Sequence, residues 1–279
     1  MLGKMIKYDM KAMSRTMIPF LLTVFGIALL GTIVSKAIIT LSMDSPLGTV
    51  IKVVLFILSA LIIIALCAAA IVGMILIVRQ YYNSMMTDEG YFTLTLPATS
   101  TVHISSKLIT ALIWSIISVA LVVVCVAIYT LFGTASTFIS KNFIQGIKEL
   151  MSQIAFVWNL DMTFITIETI VLCIVGLIFH FLEIYLAITI GGMVAKKHKV
   201  LAAVGFYFII NCIFNIISVV ILTVLSISIE STMLVLHTEM EFLSYAHPMM
   251  TVWILGYLIG SVILFILCWY LLKNKLNLE

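Results

Sequence analysis

Residues 53–78 read VVLFILSALIIIALCAAAIVGMILIV, an apolar run without one charged side chain. A helix needs roughly 20 such residues to cross about 30 Å of hydrocarbon, and this run is longer than that. It is also too long for a buried core helix of a compact water-soluble fold. Barrel strands would alternate apolar and polar residues over segments of about ten, whereas this run is continuous. A helix, which satisfies its backbone polar groups internally, is therefore the spanning element.

Similar runs recur outward from this one. The spans predicted are roughly 17–38, 53–78, 104–133, 165–194, 200–228 and 249–272, which makes an all-α integral membrane protein of six transmembrane helices. Composition agrees: 63% of the 279 residues are hydrophobic and 10% are charged. The mean hydropathy is +1.28, and a soluble domain carries roughly a quarter charged residues. No basic patch interleaved with aromatic residues suggests a nucleic-acid partner. Cys67, Cys125, Cys173, Cys212 and Cys268 all fall inside apolar runs, where they read as small packing residues, not as a disulfide framework or a metal site.

Residues 1–16 carry Lys4, Lys7, Lys11 and Arg15 against Asp9, with Leu2, Met5, Ile6, Met10 and Met13 at roughly helical spacing. That pattern predicts an amphipathic helix on the inner membrane surface, followed by a transmembrane domain over 17–279. No small-x-small cleavage site follows the first apolar run, so it is read as a span that stays. Lys and Arg in short loops set the orientation. With the N-terminus inside, the cytoplasmic side receives Lys4, Lys7, Lys11, Arg15, Arg79, Lys107, Lys196, Lys197, Lys199, Lys273 and Lys275, and the outside receives Lys36, Lys52, Lys141 and Lys148. That bias puts both termini in the cytoplasm, and the even number of spans, which requires the two ends on one side, agrees with it. Outside, the stretch 44–52 is short, 134–164 has room for a surface helix around Phe143 to Phe156, and 229–248 carries Glu230, Glu239 and Glu241.

The cytoplasmic connection 79–103 is far longer than the basic turn at 195–199. It predicts a helical continuation of the second span up to Asp88 and Glu89, a break at Gly90, alternating residues up to Pro97, and an N-cap at Thr99 or Ser100. Tyr91, Phe92, Leu94 and Leu96 are the kind of anchors that a partner's pocket takes up.

In this connection the sequence resembles the ABC-2 type (type V-like) ABC transporter permeases of low-GC Gram-positive bacteria. The resemblance rests on Tyr81-Tyr82-Asn83, Asp88-Glu89-Gly90-Tyr91, Thr95-Leu96-Pro97 and Ser106-Lys107-Leu108. It implies a permease subunit of an ATP-driven exporter in the bacterial plasma membrane. The loop residues Asp88, Glu89, Gly90, Tyr91, Phe92, Leu94, Leu96 and Pro97 would form a coupling helix docked on a separate ATPase, and residues 1–16 a connecting helix. The chain has no G-x-x-x-x-G-K-[ST] phosphate loop, so ATP and Mg are expected on two copies of an ATPase subunit. A second permease copy, or a related permease, would complete the cavity in the lipid. A hydrophobic or amphipathic peptide, lipid or drug is the expected cargo, and no cofactor is expected in this chain.

Ionisable groups within spans raise a functional question by default. His180 and Glu183 lie three apart and face one side of the fourth span, as a pathway pair or as a hydrogen-bonded packing pair. Asn211, Asn215 and Ser218 form an i, i+4, i+7 stripe on the fifth, to line a cavity or to bond a neighbouring helix. In the resembled family the fifth span borders the central pathway. Glu168 lies near the outer surface. Gly191-Gly192 and the Gly256/Gly260 pair read as close helix contacts. The competing readings are an intramembrane enzyme built on His180 and Glu183, and a regulatory membrane protein without an ATPase.

Overall fold

The computed structural model describes residues 2–40, 46–87, 90, 99–132, 160–195, 197–233 and 241–274. Six long helices account for nearly all of them: α1 (Leu2–Thr40), α2 (Pro46–Met86), α3 (Ser100–Phe132), α4 (Leu160–Val194), α5 (Lys199–Met233) and α6 (Glu241–Asn274). Each contains a stretch long and apolar enough to cross a membrane. The described residues contain no strand.

Helix ends differ from the expected loops where local chemistry favours helix. α2 begins at Pro46 and so takes up residues expected in the 44–52 loop; proline has no N–H to waste at a first helical position. The acidic stretch expected over 229–248 is shortened from both sides, since α5 runs to Met233 and α6 begins at Glu241. Residues 2–16 are helical but are not set off from the first span: α1 is one 39-residue helix with Pro19 inside it. Neither Thr16 nor Met17, which separate Arg15 from Ile18, is a residue that caps a helix C-terminus, so the helix runs on. The surface helix expected around Phe143 to Phe156, with Lys141 and Lys148, lies outside the described residues, as do Lys196 and Lys275.

The chain divides into two compact units. One comprises residues 3–80 and 109–157. Its core joins Val24 and Ala28 of α1, Leu66 of α2 and Cys125 of α3, flanked by Phe20, Ile62 and Leu121. The absent side chain of Gly31 sets the α1 approach, since a Cβ there would stand 2.8 Å from Ile62 Cγ2. Hydroxyls bond to carbonyls of their own helix: Thr32 donates to Leu29 O at 2.7 Å and Ser59 to Phe56 O at 2.7 Å. An apolar surround demands such internal satisfaction.

The other unit comprises residues 1–2, 81–108 and 158–279. α4 packs against both α5 and α6, and it carries more of this unit's buried side chains than any other helix, among them Phe181, Leu182, Glu183, Tyr185 and Thr189. α5 is the opposite case, with nothing buried in its most apolar window. Large apolar side chains are exposed in every helix, as with Leu22, Phe56, Val119, Phe164, Phe208 and Leu255. A water-soluble monomer does not tolerate that much contiguous apolar surface, and lipid removes the penalty.

Candidate functional site

The expected coupling residues Asp88, Glu89, Tyr91, Phe92, Leu94, Leu96 and Pro97 lie outside the described residues; Gly90 and the two stems of the loop are described. α2 continues past its apolar run but ends at Met86, short of the Asp88 and Glu89 expected to close it, and Gly90, expected as a break, is itself helical, its N–H returning to the Thr87 carbonyl at 2.7 Å. A Cβ on Gly90 would stand 2.6 Å from the Met85 carbonyl oxygen, so close backbone approach accounts for the glycine here. On the far stem, Thr99 precedes α3 and its carbonyl accepts from Val102 N and His103 N, while its hydroxyl bonds that of Thr101 at 2.8 Å.

Both stems meet α4 at Tyr185. The Tyr81 ring, on the α2 stem, stacks on that of Tyr185 with centroids 3.7 Å apart and planes 7° from parallel. The Tyr185 hydroxyl donates to the Lys107 carbonyl of the α3 stem at 3.2 Å. Tyr81 OH lies 3.3 Å from Thr189 Oγ1 and 3.8 Å from Cys268 Sγ. Thr189 uses its proton on the Tyr185 carbonyl at 2.7 Å, which leaves its oxygen as acceptor and makes Tyr81 the donor to it. Tyr81, Tyr185, Thr189 and Cys268 are all essentially sealed from solvent. His103 and Lys107 are buried on the same α3 stem.

Tyr81 and Lys107 belonged to the resemblance motifs, but their shared partner was not foreseen. No spacing rule pairs residues so far apart in sequence. Cys268 was read as packing only, and its bonding to Tyr81 and Thr189 adds a polar role.

His180 and Glu183 are brought together on α4, with Nδ1 and Oε2 3.6 Å apart, too long for a hydrogen bond. Their surroundings differ: His180 is 38% exposed and Glu183 1%. Glu183 Oε1 has no hydrogen-bond partner among the described residues. Tyr207 of α5 sets its ring edge-on to His180 at 6.1 Å between centroids. The α5 stripe closes on itself: Asn215 Nδ2 donates to the Asn211 carbonyl at 2.8 Å and to Asn211 Oδ1 at 2.7 Å, and the Ser218 hydroxyl donates to the Asn215 carbonyl at 2.8 Å.

Glu168, read as an ordinary near-surface residue, instead bonds across helices, its Oε2 2.9 Å from His247 Nδ1 of α6. Gly191 is a close contact, since a Cβ there would stand 2.5 Å from Ala203 N, and Gly192 lies against Met86 Sδ. The Gly256/Gly260 pair is not a two-glycine seam: Gly260 receives the Phe179 ring, while nothing lies within 4 Å of a Cβ on Gly256. No group of three or more His, Cys, Asp or Glu side chains is placed to hold a metal among the described residues.

Six apolar helices and a sealed tyrosine cluster at the stems of one connection define a multi-pass helical membrane protein. No protein-family model matches the chain, and no curated protein or solved structure matches it either.

Proposed function

We propose that this chain is the membrane-spanning permease subunit of an ATP-driven ABC exporter in a bacterial plasma membrane, with both termini cytoplasmic. The observation that carries the reading is the convergence of both stems of the 79–103 connection on one buried tyrosine, Tyr185. A connection that only joined two helices would not need its stems fastened to a third. Here a displacement of the loop is delivered to α4, and from α4 to the helices packed on it, α5 and α6. The loop motif through Asp88, Glu89, Gly90 and Tyr91 supplies the docking surface for a separate ATPase, and ATP binding there is the source of the displacement.

The α5 stripe supports a second copy. Asn211, Asn215 and Ser218 sit on a helix with no buried window, and uncovered amides in hydrocarbon are costly. A neighbouring permease across that face would cover them and enclose a pathway for a hydrophobic or amphipathic cargo.

The test is co-expression with the ATPase subunit, reading ATPase stimulation in proteoliposomes. Glu89→Ala and Tyr91→Ala are expected to abolish stimulation while membrane insertion and yield stay normal. Undiminished stimulation in both variants overturns the coupling role, and failure of any ATP-hydrolysing chain to co-purify overturns the permease reading.

A further inference from the structure

A cleft of about 480 Å³ opens where α5 begins. Its rim is polar, formed by Lys197, His198, Lys199 and Tyr82, and its wall is apolar, formed by Val200, Leu201 and Val204. The two surfaces ask for different chemistry. Lys197 and Lys199 supply cationic charge, and the first-turn amides of α5 add partial positive charge because no carbonyl of the helix reaches them. The His198 carbonyl takes the Ala202 N–H at 3.1 Å, which places His198 at the cap of the helix. The wall belongs to the outward face of α5, where Leu201 is 72% exposed and Val200 58%.

We propose that this cleft binds an anionic phospholipid, its phosphodiester at Lys197 and Lys199 and one acyl chain along Val200, Leu201 and Val204. A free anion would use the rim and leave the wall in water. A soluble acidic partner would have no use for side chains that continue into the lipid-facing surface of a spanning helix. A phospholipid satisfies both at once, and the helix end lies at the depth of the headgroups. Tyr82 adds an amphipathic ring of the kind that settles at that depth. The inference rests on the membrane-spanning reading alone and is independent of the ABC assignment.

The experiment is native mass spectrometry of the purified chain in neutral detergent, titrated with phosphatidylglycerol or with phosphatidylcholine of the same acyl chains. Phosphatidylglycerol is expected to bind about thirtyfold more tightly, the equivalent of roughly 2 kcal/mol for two basic residues near the headgroup. Lys197→Ala/Lys199→Ala is expected to remove that preference, and Lys4→Ala/Lys7→Ala, which removes the same charge elsewhere, to leave it intact. Leu201→Ser is expected to weaken phosphatidylglycerol binding, and inorganic phosphate at equal concentration to leave bound lipid in place. Equal binding of the two lipids, a preference that survives in Lys197→Ala/Lys199→Ala, or displacement by inorganic phosphate overturns the proposal.

Discussion

The ring of Tyr81 lies flat on the ring of Tyr185, closer than the 4.5–7 Å at which aromatic pairs ordinarily settle. Hydroxyl contacts hold each ring from its far end, Tyr81 at Thr189 and Tyr185 at the Lys107 carbonyl. Removing the Tyr81 hydroxyl and removing its ring should therefore have separable effects. Tyr81→Phe keeps the stack and is expected to cost about 1 kcal/mol. Tyr81→Ala empties a sealed site and is expected to cost about 3–5 kcal/mol. Unfolding in detergent, followed by circular dichroism, distinguishes them, and equal losses would show that the stack contributes little.

Adjacent glycines on α4 should respond unequally to one added methyl. Alanine at Gly191 meets the Ala203 backbone, which cannot move without shifting α5, whereas alanine at Gly192 meets the thioether of Met86, a flexible side chain. Gly191→Ala is expected to destabilise by about 1–3 kcal/mol and Gly192→Ala by clearly less. Comparable unfolding midpoints for the two variants would contradict this account of the α4–α5 contact.

Glu183 is the buried acid whose retention stability does not explain. His180 Nδ1 stands 3.6 Å from one carboxylate oxygen, and the other oxygen has no hydrogen-bond partner among the described residues. A carboxyl group so placed carries a desolvation cost that this contact does not offset. Glu183→Leu is expected to leave the unfolding midpoint unchanged or raise it, while the proposed transport, assayed in proteoliposomes, falls. A drop of several degrees would assign Glu183 to the packing of α4 instead.

Glu168 and His247 fasten α4 to α6 at 2.9 Å. A double-mutant cycle with Glu168→Gln and His247→Gln is expected to return a coupling energy on the order of 1 kcal/mol. Additive effects would mean that the two side chains meet without stabilising each other.

The proposed topology is checked by cysteine labelling after the native cysteines are replaced. A membrane-impermeant maleimide added to intact cells is expected to modify Lys141→Cys and to spare Lys4→Cys until the membrane is opened. The reverse pattern would invert the chain.

The number and kind of helices were readable from residues such as 53–78 because hydrocarbon imposes a length and a polarity on anything that crosses it. Helix ends were less readable: Pro46 and Glu241 begin helices inside stretches whose polarity suggested loops. For the candidate site, periodicity paired His180 with Glu183 and Asn211 with Asn215, since those lie on one helix. It could not pair Tyr81 with Tyr185, Glu168 with His247, or Gly191 with Ala203, because contacts between helices depend on how neighbours are rotated. The same limit made Gly256 and Gly260 look equivalent when only Gly260 receives an aromatic ring.

α1 carries the four cationic side chains Lys4, Lys7, Lys11 and Arg15 and the packed residues Val24 and Ala28 on a single rod, with Pro19 between the two groups. Proline offers no N–H to the carbonyl of Arg15, so the rod has one weakened rung, placed where its basic end gives way to its apolar end. Bending is easiest there, and a force applied to the basic end is felt as torque at Val24 and Ala28. Stiffness elsewhere along α1 makes that one proline the setting of its compliance.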